Sequence, residues 1–146
     1  MKKTEFAAAY RDKMFPDFVS PSSRKDPELD DIFVNFAFDE VIREVGKNIS
    51  AHDRLLAILA SLVGAKGLEE FELLLPGALN IGIEPHEIRE LVYQAVPYVG
   101  IGVVRGYLRV MNRAFDIKGL RLIDDRMGTV TTDNRLEKGR EVQVAI

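Results

Sequence analysis

The chain has 146 residues, 47% of them apolar, a net charge of -3 and no cysteine. That length favours one domain with one core, and that apolar content excludes a disordered chain. Without Cys there are no disulfides, thiolate metal sites or thiol redox steps within the chain, and the small negative charge removes the electrostatic case for non-specific nucleic-acid binding.

The opening MKKTEFAAAYRDKMF contains one uninterrupted apolar piece, Phe6 to Tyr10. It is too short for a signal peptide, and no run reaches the length of a membrane span. A soluble cytoplasmic protein is expected. Thr4 to Phe15 reads as a short helix stopped near Pro16, and DFVSPSSRK after it as a loop.

The next helix has a clear start. Asp26 is placed to cap, Pro27 suits the first helical position and Glu28 favours the positive end of the dipole. Leu29, Ile32, Phe33 and Phe36 form an i, i+3, i+4, i+7 stripe expected to face the core. One step on, the stripe meets Asp39 and Glu40. It resumes out of phase on Phe38, Val41, Ile42 and Val45, and Gly46 ends the helix.

Ser50 to Asp53 is an S-x-x-D helix start. The helix after it, RLLAILASLVGAKG, is apolar almost all round and is expected to be enclosed by its own chain or a partner subunit. Leu68 to Asn80 follows, with Phe71, Leu74, Leu75, Ala78 and Leu79 inward and a kink expected at Pro76. Gly82 turns the chain. Pro85 begins a helix with Glu87 at a capping-box position and Ile88, Leu91, Val92 and Ala95 on its core face. Tyr98 to Phe115 reads as the last long helix, striped by Ile101, Val104, Leu108, Met111 and Phe115. Its Gly102 and Gly106 would allow a close helix approach.

From Asp116 the helical period is lost and an extended tail is expected. Thr132 or Asp133 would then cap a short terminal helix, NRLEKGREVQVA. No strand alternation is strong enough to build a sheet, so the predicted fold is all-α, with about six to seven helices. The expected organisation is a helix and loop over 1–25, a helical domain over 26–115, and a tail over 116–146 that packs on its own or a neighbouring subunit.

Several segments taken together carry a resemblance: AFDEV at 37–41, DRLLAILASLVGAKGLEEFEL from Asp53, GALNIGI at 77–83 and EIRELVYQAVPYVG from Glu87. They resemble the carboxymuconolactone decarboxylase family, which includes the alkylhydroperoxidase AhpD-like proteins. RLEKGREVQ at 135–143 is similar to the R-x-E-K-G-x-x-V signature of linkers in tandem members, and YRDKM at 10–14 is its fainter counterpart. The resemblance implies a helical bundle assembled as a homo-oligomer, a trimer or hexamer. It also implies decarboxylase or lyase chemistry on a small organic acid, or hydroperoxide reduction.

The redox branch uses C-x-x-C-x-x-x-H. Counted back from the GALNIG turn, those positions fall on Gly67, Glu70 and Leu74, so none of the three matches. A thiolate relay cannot run, and the proton-carrying histidine is missing. The remaining catalytic candidates are Glu40, which interrupts an apolar stripe, Glu70, which holds a former site position, and Arg54, which would bind a substrate carboxylate. Tyr98 and Leu74 are the candidate substrate-lining residues.

Each candidate has a structural counterpart. Glu40 would pair with Arg54, Glu70 would belong to a solvated acidic turn, and Tyr98 would be a core tyrosine. His52 and His86 lie in first turns expected to be exposed. Arg105, Arg109 and Arg113 form a basic stripe that either draws in an anion or is a solvated face. No metal site, cofactor or nucleotide loop is indicated. The readings left open are a lyase or isomerase, a hydroperoxidase disfavoured by the missing thiols, and a non-catalytic oligomeric binding or scaffold protein.

Overall fold

A computed structural model describes residues 2–16, 22–120 and 128–145. The elements are α1 (Glu5–Met14), α2 (Ser22–Lys25), α3 (Pro27–Asn35) running into a π-helical stretch (Phe36–Val45), a 3-10 turn (Gly46–Asn48), α4 (Ala51–Gly64), α5 (Leu68–Asn80), α6 (Pro85–Gln94), α7 (Val96–Val99), α8 (Ile101–Ile117) and α9 (Arg135–Ala145). No strand occurs among the described residues, so the fold is all-α.

The core lies between α4, α5, α6 and α8. Leu59, Val63, Phe71, Leu75, Ile88, Val92, Val104, Tyr107 and Met111 are almost wholly removed from water. Phe71 meets Tyr107 edge-on at 5.1 Å between ring centroids, and the Tyr107 hydroxyl donates to the Leu62 carbonyl at 3.0 Å. That bond satisfies the one polar group the ring carries inward. On α8, Val104, Met111 and Phe115 are buried and Leu108 packs against the core, while Ile101 is exposed.

Helix ends follow the expected caps in part. Ser50 Oγ accepts from the Asp53 amide, and the Glu84 amide donates to the Glu87 side chain. Asp26 precedes α3 but makes no side-chain capping bond. α5 continues through Pro76 to Asn80. The 98–115 helix is divided: Tyr98 belongs to α7, Gly100 takes φ 84°, and α8 starts after it and runs to Ile117. Gly106 does permit a close approach, with Leu68 Cδ2 3.3 Å from where a Cβ would sit, but Gly102 has nothing near it. Ser22–Lys25, expected as loop, forms the helical turn α2. Residues 17–21 of that loop and 121–127 of the tail lie outside the described residues. Asn134 and Thr131 exchange bonds before α9, so the start is set one residue before Thr132.

The largest departure is α3. Its stripe faces outward: Leu29 is 63% exposed, Ile32 47%, Phe33 48% and Phe36 54%. The inward face instead carries Asp30, Val34, Asn35 and Asp39. At Phe36 the helix widens, and the Gly46 amide bonds the Val41 carbonyl five residues back. Widening shifts the phase of the side chains. That is why the apolar pattern restarts on Phe38, which packs on the core; the Val45 side chain lies outside the described part.

The buried polar residues are satisfied by the chain's own start. Lys3 Nζ donates to Asp30 at 2.6 Å and pairs with Asp31 at 3.3 Å. The Thr4 amide donates to Asn35 Oδ1, whose Nδ2 donates to the Lys2 carbonyl. Thr4 Oγ1 donates to Asp39 Oδ2 at 2.5 Å and accepts from the Ala7 amide, capping α1. α1 is anchored further along. The Phe15 ring rests on Gly77, where a Cβ would stand 2.3 Å from the ring, and Asn80 Nδ2 donates to the Met14 carbonyl at 2.7 Å. Gly77 is needed in GALNIGI because an aromatic ring lies on its backbone.

α4 is enclosed on one side only. Leu55, Leu59 and Val63 are buried, whereas Ala57, Ile58, Ala60, Ser61 and Gly64 are exposed. α9 is exposed along its whole length.

Candidate functional site

The three positions to which the resemblance points lie at the start of α5 and just before it. Gly67 precedes the helix, and Glu70 and Leu74 follow one turn apart, which places them on one face. Glu70 is half-buried, and burial pushes its carboxyl pKa upward. Loss of water disfavours the charged form, so the group keeps its proton to higher pH than a solvated glutamate. Leu74 packs against the core beside the fully buried Phe71. Leu74 thus joins the apolar packing at the position where the resemblance implies a histidine.

The other candidates do not gather there. Glu40 is exposed, not buried, because the widened turn brings Asp39 inward in its place. Among the described residues Glu40 makes no ion pair with Arg54. Arg54 instead donates from Nη2 to the Tyr10 hydroxyl at 2.7 Å, and its guanidinium fills the space a side chain at Gly46 would need. Arg54 is thus committed to joining α4, α1 and the end of the π-helix. Tyr98 is 87% exposed, not a core residue.

Tyr98 does line a cleft of about 380 Å³ with Ala60, Gly64, Leu91, Ala95 and Val99. The lining is almost wholly apolar. Ala60 and Gly64 lie six and ten residues beyond Arg54 on α4, about 9 to 15 Å along the axis. Arg54 and Tyr98 therefore serve different parts of the molecule.

Two clusters were not legible as such from sequence. His52 of α4 lies 3.1 Å from Glu87 of α6 and 3.2 Å from Asp53. The Glu87 carboxylate, and then that of Asp53, hold the imidazole pKa above its ordinary value. Glu87 is lowered in turn, first by the Glu84 amide and then by His52. The signal was present: both residues sit in first turns of capped helices, where side chains from two N-termini can meet. The second cluster is the row Asp30, Asn35, Asp39 under the N-terminal segment, visible in the sequence only as the place where the apolar stripe loses phase. His86 is exposed, and so are Arg105, Arg109 and Arg113, the last 3.9 Å from Glu72.

Among the described residues no three His, Asp or Glu side chains gather as a metal ion requires, and no helix is long and apolar enough to cross a membrane.

No curated protein and no solved structure matches the chain. The family model of the carboxymuconolactone decarboxylase family matches residues 27–113, well over half of the chain and the stretch from α3 through most of α8. An all-helical bundle and this match together place the chain in the carboxymuconolactone decarboxylase family.

Proposed function

We propose that this chain is the subunit of a cytoplasmic homo-oligomer that has left the family's thiol chemistry and acts as a binding or scaffold protein. The observation that carries the reading is Leu74. It stands where the redox branch has its histidine, and it packs into the core beside Phe71. With no cysteine in the chain, neither thiolate nor proton carrier remains for peroxide reduction. The assembly is supported by two apolar surfaces left open on one copy, the α3 stripe and the exposed flank of α4 beside the Tyr98 cleft. Patches of this kind mark interaction sites. The test is light scattering together with a hydroperoxide assay supplied with a thiol reductant. A single assembled species without turnover is expected. Turnover, or a monomer at micromolar concentration, refutes the reading.

One observation favours a second reading, a lyase or isomerase acting on a small organic acid or lactone. Glu70 sits at a family site position with a raised pKa, which suits a general acid. Arg54 would hold the substrate anion only by giving up Tyr10, and Glu40 and Tyr98 would reach the substrate only from an exposed face. The test is a panel of small carboxylic acids and lactones assayed with the native chain and with Glu70→Gln. Conversion that survives Glu70→Gln removes the acid-base role.

A further inference from the structure

The π-helical stretch Phe36–Val45 runs for 10 residues. Helices of this kind are rare and are mostly single turns within an α-helix. A contact outside the stretch must therefore select the wide form over the ordinary one.

The residue pattern suits the ordinary form as well. Continued as an α-helix from the buried Val34, the chain would bring Ala37, Phe38 and Val41 inward at i+3, i+4 and i+7. That face is wholly apolar. Asp39 would fall at i+3 from Phe36, on the open side of the helix. In the wide form Asp39 instead stands five residues beyond Val34 and is buried with it. A buried carboxylate needs a donor to offset the water it has lost.

The donor comes from the start of the chain. Lys3 bonds Asp30 at 2.6 Å, the Thr4 amide donates to Asn35 Oδ1 at 2.8 Å, and Asn35 Nδ2 donates to the Lys2 carbonyl at 3.0 Å. Asp30 and Asn35 belong to α3, before the widening, so these bonds hold in either form. They tie Lys2–Thr4 along α3. The bond from Thr4 Oγ1 to Asp39 Oδ2, at 2.5 Å, is different. It forms only when the helix has widened enough to carry Asp39 inward. α1, which Thr4 caps, also bears on the far end of the stretch. Tyr10 accepts from Arg54, whose guanidinium lies where a side chain at Gly46 would stand. Lys2 and Thr4 are themselves exposed, so the segment can lift away without opening the core.

We infer that Lys2–Thr4 is a strap that sets the register of Phe36–Val45, and that breaking the Thr4–Asp39 bond returns the stretch to an α-helix. Asp39 then turns outward beside Phe36, with its i+4 partner Arg43, and Ala37, Phe38 and Val41 take the inward face. Two packings of one segment that lie close in free energy make a switch, and one hydrogen bond to a charged group is enough to bias it. Loss of that bond is expected to move the ratio of the two registers about tenfold or more toward α. The device does not depend on how the chain assembles or on what it binds.

The experiment is nuclear magnetic resonance on the full chain. Scalar couplings through hydrogen bonds read, for the amides from Val41 to Gly46, whether the bonded carbonyl lies five residues back or four. Far-UV circular dichroism controls for helix content. The native chain should show five. Asp39→Ala, which removes the acceptor, and Thr4→Asp, which still caps α1 but opposes Asp39, should both change the pattern to four. Thr4→Ser keeps cap and donor and should read as native. The double exchange T4D/D39N reverses donor and acceptor and should restore five. A native chain that shows four, single variants that keep five with full helix content, or a double exchange that stays at four overturns the switch. Where Thr4→Asp unfolds the chain, Asp39→Ala decides, since it leaves no charge opposing Thr4. Unfolding of the stretch in both variants means that no second register exists and overturns the switch too.

Discussion

α3 and α8 carry the same kind of apolar stripe and use it in opposite ways. On α8, Val104, Met111 and Phe115 are buried, and the exposed face carries Arg105, Arg109 and Arg113. On α3 the stripe is open, and the buried face carries Asp30, Asn35 and Asp39. The difference lies in the neighbours. α8 meets α5 and α6, whose inward residues are apolar. α3 and its π-helical extension meet α1 and the segment before it, which offers an ammonium, a hydroxyl and backbone groups. Apolar periodicity identifies a surface that avoids water. It does not say which body covers it.

Substitution of paired positions on these two helices breaks or sharpens the contrast. Phe115→Ala empties a packed site and is expected to cost about 3 to 5 kcal/mol in urea unfolding. Phe33→Ala should change the unfolding of a dissociated copy by no more than about 0.5 kcal/mol, its cost appearing in assembly instead. Equal losses in the two variants would mean that the α3 stripe is buried within one copy.

The next effect concerns the polar side of α3. Asp39→Ala leaves the Thr4 hydroxyl and the Arg43 guanidinium without their acceptor and is expected to cost about 1 to 3 kcal/mol. Glu40→Ala, one residue away and exposed, should stay within about 0.5 kcal/mol. Amide exchange over Ala7–Tyr10 should quicken in the first variant only.

Gly77→Ala tests the anchor of α1. The Phe15 ring must move to admit a methyl group, at about 1 to 3 kcal/mol, and Phe15→Ala in the same chain should remove most of the added penalty.

The smallest effect is the pH dependence at His52. Its folded pKa is raised, so its contribution to stability is full below about pH 6.5 and is lost as pH rises through the folded value. His52→Gln is expected to narrow the difference between melting temperatures at pH 6 and pH 8 by a degree or two, and an unchanged difference would refute the link to Glu87. Glu70 works on stability with the same sign for another reason. Burial opposes its charge, so Glu70→Gln should raise stability slightly at pH 8 and leave it unchanged at pH 4.

Helix positions, the Ser50 and Glu87 caps and the inward residues of α5, α6 and most of α8 were legible because neighbours within four residues decide them. The partial burial of Glu70 was not legible, since the sequence offered a solvated acidic turn as readily. Nor was the Arg54–Tyr10 bond, since 44 residues separate the partners and nothing local joins them. The same holds for His52 with Glu87, 35 residues apart. For Glu40 the pattern was read with the right period and the wrong phase, because the widened turn after Asn35 rotates Asp39 inward and its neighbour out.

The amino-acid sequence alone thus determined an all-helical fold, the family and most of the turns that divide the chain. These follow from periodicity, capping, residue type and short motifs, all of which act over a few residues. The tertiary structure alone decided which face of α3 looks inward, what holds the first residues, and that Leu74 packs against the core. Those outcomes depend on which distant surfaces meet and on the hydrogen bonds a buried polar group must find, and no local pattern records either.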